Sequence, residues 1–190
     1  AGTGYISPVN IEVLDHNITY AYNYTLIVGS LKELRDYVYK NNPSMQLPTW
    51  YFKNDRRHWT FENTTDAGWP IKDGLVVKLK KNAAMISPYT FWKAKEAPLL
   101  VFEAAYDGDI KKAKVYWRFF NEKFEEKNSM EFTIKSDGKM HQYLVPLYQS
   151  QNYKGALSGL KILLDAGHSA KDGDVADVEY IALRKETITK

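Results

Sequence analysis

From Trp50 onward the chain is a succession of short runs of alternating apolar and polar residues, each closed by Gly, Asp or Pro. A period of two places alternate side chains on opposite faces of a strand, so this half-buried alternation commits the segment to β-structure. Leu75, Val77 and Leu79 alternate with Val76, Lys78 and Lys80 after the Asp73-Gly74 turn. Leu99–Tyr106, behind Pro98, is too apolar for one solvated face and reads as a central strand. In the next run Val115, Trp117 and Phe119 share one face, and Tyr116, Arg118 and Phe120 the other. Met130–Lys135 directs Phe132 and Ile134 inward, and Asp137-Gly138 reads as a hairpin turn into Met140–Val145. Leu160, Ile162 and Leu164 alternate with Lys161 and Leu163, and Asp172-Gly173-Asp174 leads into a last strand, Val175–Arg184. Many strands with turn signals and almost no helix predict an all-β fold, an antiparallel β-sandwich.

The first part of the chain reads differently. Ile11–Leu14 and Thr19–Val28 are strand-like, and Tyr20, Tyr22 and Tyr24 fall on one side of the second. A helix follows. Ser30 suits its N-cap with Glu33 three residues on, Leu31, Leu34 and Val38 repeat at helical spacing, and Asn41-Asn42-Pro43 ends it. The division predicted is a small strand/helix annex over residues 1–48 and a β-sandwich module over 49–190, which the 190-residue length accommodates.

Composition narrows the function. Lys and Arg number 26 against 23 Asp and Glu, a net charge of +3, and basic residues cluster only at Lys78, Lys80, Lys81 and at Lys111, Lys112, Lys114. No nucleic-acid partner is expected from so slight a surplus. No run of apolar residues is long enough for a membrane span. The opening Ala1-Gly2-Thr3-Gly4 lacks the basic start and apolar run of a signal peptide, which suits a mature or excised piece of a secreted protein. With no Cys there are no disulfides, thiolate metal sites or Cys nucleophiles.

No catalytic constellation stands out. There is no Gly-rich phosphate loop after a strand, no G-x-S-x-G and no H-E-x-x-H. His16, His58, His141 and His168 are scattered singly, which suits hydrogen-bonded surface histidines better than metal ligands. Glu125-Glu126 and Asp107/Asp109 lie in turns or exposed runs, where solvated charges outnumber acid/base pairs. Asp172, Asp174 and Asp177 lack the offsets of an EF-hand loop. Sequons at Asn17, Asn23 and Asn63 say little.

Aromatic content is the remaining signal: fourteen Tyr, eight Phe and five Trp make 14% of the chain. Stiff rings lose little entropy on binding and stack on the C–H faces of sugars. Most are expected in the core, Phe61, Phe102 and Phe132 among them, with a few left exposed for a ligand.

Trp59-Thr60-Phe61-Glu62 with Gly68-Trp69, Val115-Tyr116-Trp117, Asp137-Gly138-x-x-His141-x-Tyr143-x-Val145-x-Leu147, Tyr153-x-Gly155-x-x-x-Gly159-Leu160-x-Ile162 and Val178-Glu179-Tyr180-Ile181-Ala182-Leu183 follow in order. Over residues 50–186 this pattern resembles the galactose-binding-like jelly rolls found as carbohydrate-binding modules of secreted bacterial polysaccharide-degrading enzymes. The resemblance implies a jelly roll that is not itself catalytic, secreted or at the cell surface, binding a polysaccharide or oligosaccharide beside neighbouring domains of a parent protein. It also implies one structural calcium ion, with Glu62 and Glu179 at the family's acidic positions and Asp177 as a nearby substitute.

Such modules bind sugar on a sheet face or on end loops, so the candidate ligand-binding residues are Tyr116 and Arg118 on the face, with Trp92, Tyr148 and Tyr153 as loop platforms. Trp69 is expected to close the core instead. Two other readings stay open: a protein-interaction module of a large surface protein, and a jelly-roll lyase or hydrolase using His141 and Tyr143, two apart on one strand.

Overall fold

A computed structural model describes Thr19, Ala21, residues 24–41 and residues 46–185. The chain divides into two compact units, Ala1–Gln46 and Leu47–Lys190.

In the first unit the helix forms as its cap predicts, as α1 (Leu31–Asn41). Ser30 donates its backbone N–H and its hydroxyl to Glu33 Oε2, both at 2.7 Å, and Glu33 N–H donates back to Ser30 Oγ at 3.4 Å. These bonds satisfy donors that the first helical turn leaves orphaned. Residues 24–28 are not in a strand, and Tyr24 stands exposed. Alternation specifies a face, but a strand also needs a hydrogen-bonding neighbour. Ile11–Leu14, Tyr20 and Tyr22 lie outside the described residues.

The second unit is an antiparallel β-sandwich. Its strands are β1 (Thr49–Tyr51), β2 (Thr60–Glu62), β3 (Leu75–Lys78), β4 (Ala84–Ile86), β5 (Trp92–Lys93), β6 (Leu99–Asp107), β7 (Lys112–Arg118), β8 (Ser129–Thr133), β9 (Met140–Val145), β10 (Ala156–Leu157), β11 (Gly159–Leu163) and β12 (Val175–Arg184). One five-stranded sheet runs β1-β12-β6-β9 with β3 also paired to β12, and the other runs β2-β4-β11-β7-β8. Short β5 and β10 pair by themselves.

The long apolar strand is central as its sequence predicts, with β6 held between β12 and β9. Leu100, Phe102, Ala104 and Tyr106 fill the space between the sheets from one side, and Val115, Trp117, Leu160 and Ile162 from the other. Phe102 packs against Phe132 at 5.7 Å and Tyr143 at 6.0 Å, and Trp59 meets Trp50 edge-on at 5.1 Å. A fully buried ring such as Phe102 stabilises the fold by about 1.5–3 kcal/mol. Phe61, Phe132 and Trp69 are partly buried against this core.

Asp137-Gly138 does not make a hairpin. β8 pairs with β7 in one sheet, and β9 pairs with β6 in the other. The turn is an arch that carries the chain across the core, with Phe132 and Tyr143 meeting at 6.0 Å beneath it. Turn residues specify that the chain reverses; whether the two strands pair edge to edge or face each other is set by their neighbours.

Candidate functional site

On the outer face of the second sheet, the alternation of β7 turns Val115 and Trp117 into the core and leaves Lys112, Lys114, Tyr116 and Arg118 outside. Across the ladder, Tyr116 lies beside Ser129 of β8 and Lys161 of β11, and Lys114 beside Glu131 and Leu163. The polar groups form one network. Lys114 Nζ reaches Glu126 at 2.5 Å and Glu131 at 3.1 Å, and the Tyr116 hydroxyl donates to Glu126 Oε2 at 2.9 Å. Lys161 Nζ holds Glu62 at 2.8 Å and stands 5.6 Å from the Tyr116 ring. Bonds from Lys114 and then Tyr116 hold the Glu126 carboxyl below its ordinary range, and the bond from Lys114 does the same for Glu131. Burial pulls the Lys114 ammonium down, but its bonds to the two carboxylates outweigh this and raise its pKa. Burial, then the bond to Glu126, raises the Tyr116 phenol.

At the end of β7 the face becomes aromatic. The Arg118 guanidinium lies over the Tyr89 ring at 4.3 Å and the Phe124 ring at 4.7 Å. Phe120 extends the surface, 6.5 Å from Tyr89 and 5.6 Å from Phe91, and all three rings are exposed. A cavity of about 570 Å³ opens here, lined by Ile86, Tyr89, Arg118, Asn121, Glu122, Lys123 and Phe124.

Local sequence explains each placement. Pro88 has no N–H to give a ladder, so Ser87 bridges the strand end: its N–H donates to Leu160 O and its hydroxyl accepts from Leu160 N–H, both at 2.9 Å. Thr90 N–H then donates to Ser158 O at 3.2 Å, which fixes Tyr89 beside β11. Phe124 is held by a loop tied down through Asn152 Nδ2, which donates to Lys127 O at 2.7 Å. Gly159 faces Arg118 in the register, and a Cβ there would come within 2.9 Å of Arg118 Nε. A bare backbone at this position is what lets the guanidinium lie across the sheet.

The other predicted residues fall elsewhere. Trp92 and Tyr153 are 2% and 7% exposed, so neither is a loop platform. Trp92 Nε1–H donates to the Tyr153 hydroxyl at 2.9 Å, which donates to Ala97 O at 2.7 Å. Burial pushes the Tyr153 phenol well up. Along the extended segment 89–92 Tyr89 and Phe91 are exposed and Trp92 is buried, an alternation that the expectation of a loop there did not use. Tyr148 is 61% exposed and borders a different groove of about 590 Å³, whose wall includes Tyr153, Pro98 and Lys154. Tyr89, Phe124 and Gly159 were missed, since only tertiary contacts bring them to Arg118, whereas Phe120 already shared its face by alternation.

The acidic residues assigned to calcium are not brought together as a ligand set. Glu62 lies on β2 and spends its carboxylate on Lys161, while Asp177 and Glu179 lie on β12 of the opposite sheet. A β-bulge between Val178 and Tyr180 makes Glu179 the extra residue of its strand. Among the described residues no three of His, Asp and Glu converge as a metal site. His141 and Tyr143 likewise form no reactive pair. His141 Nε2 contacts Asp137 Oδ1 at 2.7 Å, and the Tyr143 hydroxyl donates to Lys135 O at 3.3 Å.

No family model matches the chain, and neither does any curated protein. Among solved structures it is similar to a family 29 carbohydrate-binding module, with 10% identity and a TM-score of 0.47 over 74% of this chain and 90% of that one. It is similar to the low-affinity xylan-binding module CBM86 from Roseburia intestinalis, with 10% identity and a TM-score of 0.42 over 73% and 95%. The K1 cleaved adhesin domain of Lys-gingipain from Porphyromonas gingivalis W83 is similar too, with 12% identity and a TM-score of 0.49 over 75% and 100%. These are similarities in the course of the backbone, at an identity that transfers no side chain.

Proposed function

We propose that this protein is a non-catalytic carbohydrate-binding module that takes a polysaccharide on the outer face of its second sheet, at Tyr89, Arg118, Phe120 and Phe124, with Tyr116 alongside. The observation that carries the reading is the Arg118 guanidinium set among rings, 4.3 Å from the exposed Tyr89 and 4.7 Å from the half-buried Phe124, at the mouth of an open cavity. Rings supply apolar area for sugar C–H faces, and guanidinium, amide and carboxylate edges supply hydrogen bonds to hydroxyls. In this reading the module is extracellular, and it holds a parent secreted or surface enzyme on its substrate.

The test is affinity electrophoresis of the 190-residue chain through gels containing plant, algal and host polysaccharides. Retardation by at least one polymer, lost in Tyr89→Ala and Arg118→Ala but kept in Tyr148→Ala, supports the site. Unretarded migration in every gel removes the reading.

A further inference from the structure

Arg118 is bracketed by rings on a face whose neighbouring cations are already spent. Lys114 is paired with Glu126 and Glu131, Lys112 with Glu131 at 3.4 Å, and Lys161 with Glu62. Among the described residues Arg118 has no carboxylate partner, and its buried Nε has no hydrogen-bond acceptor. A cation with no carboxylate partner that lines an open cavity is one an anionic ligand can pair.

Rings beside a guanidinium attract it through their π-faces and keep water off it, but they accept nothing from its N–H groups. Those N–H donors form a fork that matches the two oxygens of a carboxylate, and such charge-assisted pairs are about twice as strong as neutral ones. The cavity beside the fork also carries Lys123 and the Asn121 amide, with Glu122 as the one carboxylate in its wall. Two cations to one anion favour an oxyanion, and Glu122 weighs against a densely charged ligand.

We propose that the glycan bound here is acidic, and that Arg118 receives the carboxylate of a uronic acid residue while Tyr89 or Phe120 carries the sugar ring. This rests on the glycan-binding reading above and specifies its substrate class. A flat carboxylate suits a donor flanked by rings better than a tetrahedral sulfate does.

The experiment compares polygalacturonate, alginate and glucuronoxylan with their carboxyl-reduced forms, alongside a neutral mannan and a sulfated galactan, using the intact chain. At least one uronate polymer is expected to bind, about ten-fold or more tightly than its reduced form. Added NaCl should weaken that binding. Arg118→Gln should erase the difference between acid and reduced polymers, and Arg118→Lys should retain part of it, with unchanged melting temperatures showing that both variants fold. Equal or tighter binding to the reduced or neutral polymers overturns the acidic assignment and leaves the glycan reading standing. Retention by the sulfated galactan alone overturns the carboxylate. Failure to bind any polymer overturns both readings together.

Discussion

At Gly159 the lack of a side chain governs what Arg118 can do. A methyl group there would come within 2.9 Å of Arg118 Nε, at a flexible side chain and not at backbone. Gly159→Ala should therefore shift the guanidinium and weaken polysaccharide binding about ten-fold, while the melting temperature stays close to that of the parent. Calorimetric titration alongside a thermal melt checks both halves. Asp177 poses the opposite case. Its Oδ1 is buried without a hydrogen-bond partner, and desolvation raises its pKa above the ordinary carboxylate value. A raised carboxyl binds its proton more readily in the folded chain, so its penalty is absent at acid pH and complete once pH exceeds the folded value. Asp177→Asn should raise the melting temperature at neutral pH, and the gain should vanish as pH falls through the carboxylate range. A gain that persisted at low pH would locate the effect elsewhere.

Among the elements, β5 and the loop before it separate packing from recognition. Trp92→Ala empties a fully packed site and should cost about 3–5 kcal/mol in denaturant unfolding, whereas Tyr148→Ala, on an exposed ring, should leave stability unchanged. Equal effects would contradict the burial described for Trp92. The helix α1 depends on its cap. Ser30 bonds hold the Glu33 carboxyl below its ordinary pKa, so the box is complete at neutral pH and is lost as pH falls through that lowered value. Ser30→Ala should reduce helical circular dichroism at neutral pH and weaken its response to acidification, with the backbone N–H of residue 30 keeping part of the bond to Glu33. The helix was legible in the sequence through Ser30 and Glu33, whereas the burial of Trp92 was not, because its partner Tyr153 lies far along the chain.

For the whole molecule, the paired carboxylates on the outer face of the second sheet predict its response to acid. Glu126 and Glu131 are held below their ordinary pKa chiefly by hydrogen bonds from Lys114. Their contribution is present at neutral pH and disappears as pH falls below about 4.3 and through the lowered values. Both are largely solvated, so screening keeps the stability change small. The release of Lys114 should instead show as altered glycan affinity over that range, and an affinity flat with pH would separate the network from binding. A chelator should leave the thermal midpoint unchanged, because Glu62 and the β12 acids stand in different sheets; a large drop would identify an ion held by other residues.

The sequence by itself determined the class of fold and the inward or outward sense of its regularly alternating strands, because period-two alternation and turn residues are local properties. Val115 and Trp117 inward, Tyr116 and Arg118 outward, and a central Leu99–Tyr106 were all legible in that way. Tertiary structure alone decided which strands pair, that Asp137-Gly138 spans two sheets, that a bulge takes Glu179 out of register, and that Tyr89, Phe124 and Gly159 gather at Arg118. Pairing and register depend on contacts between residues far apart in the chain, and no local pattern specifies which distant partner a strand edge or a free guanidinium will meet.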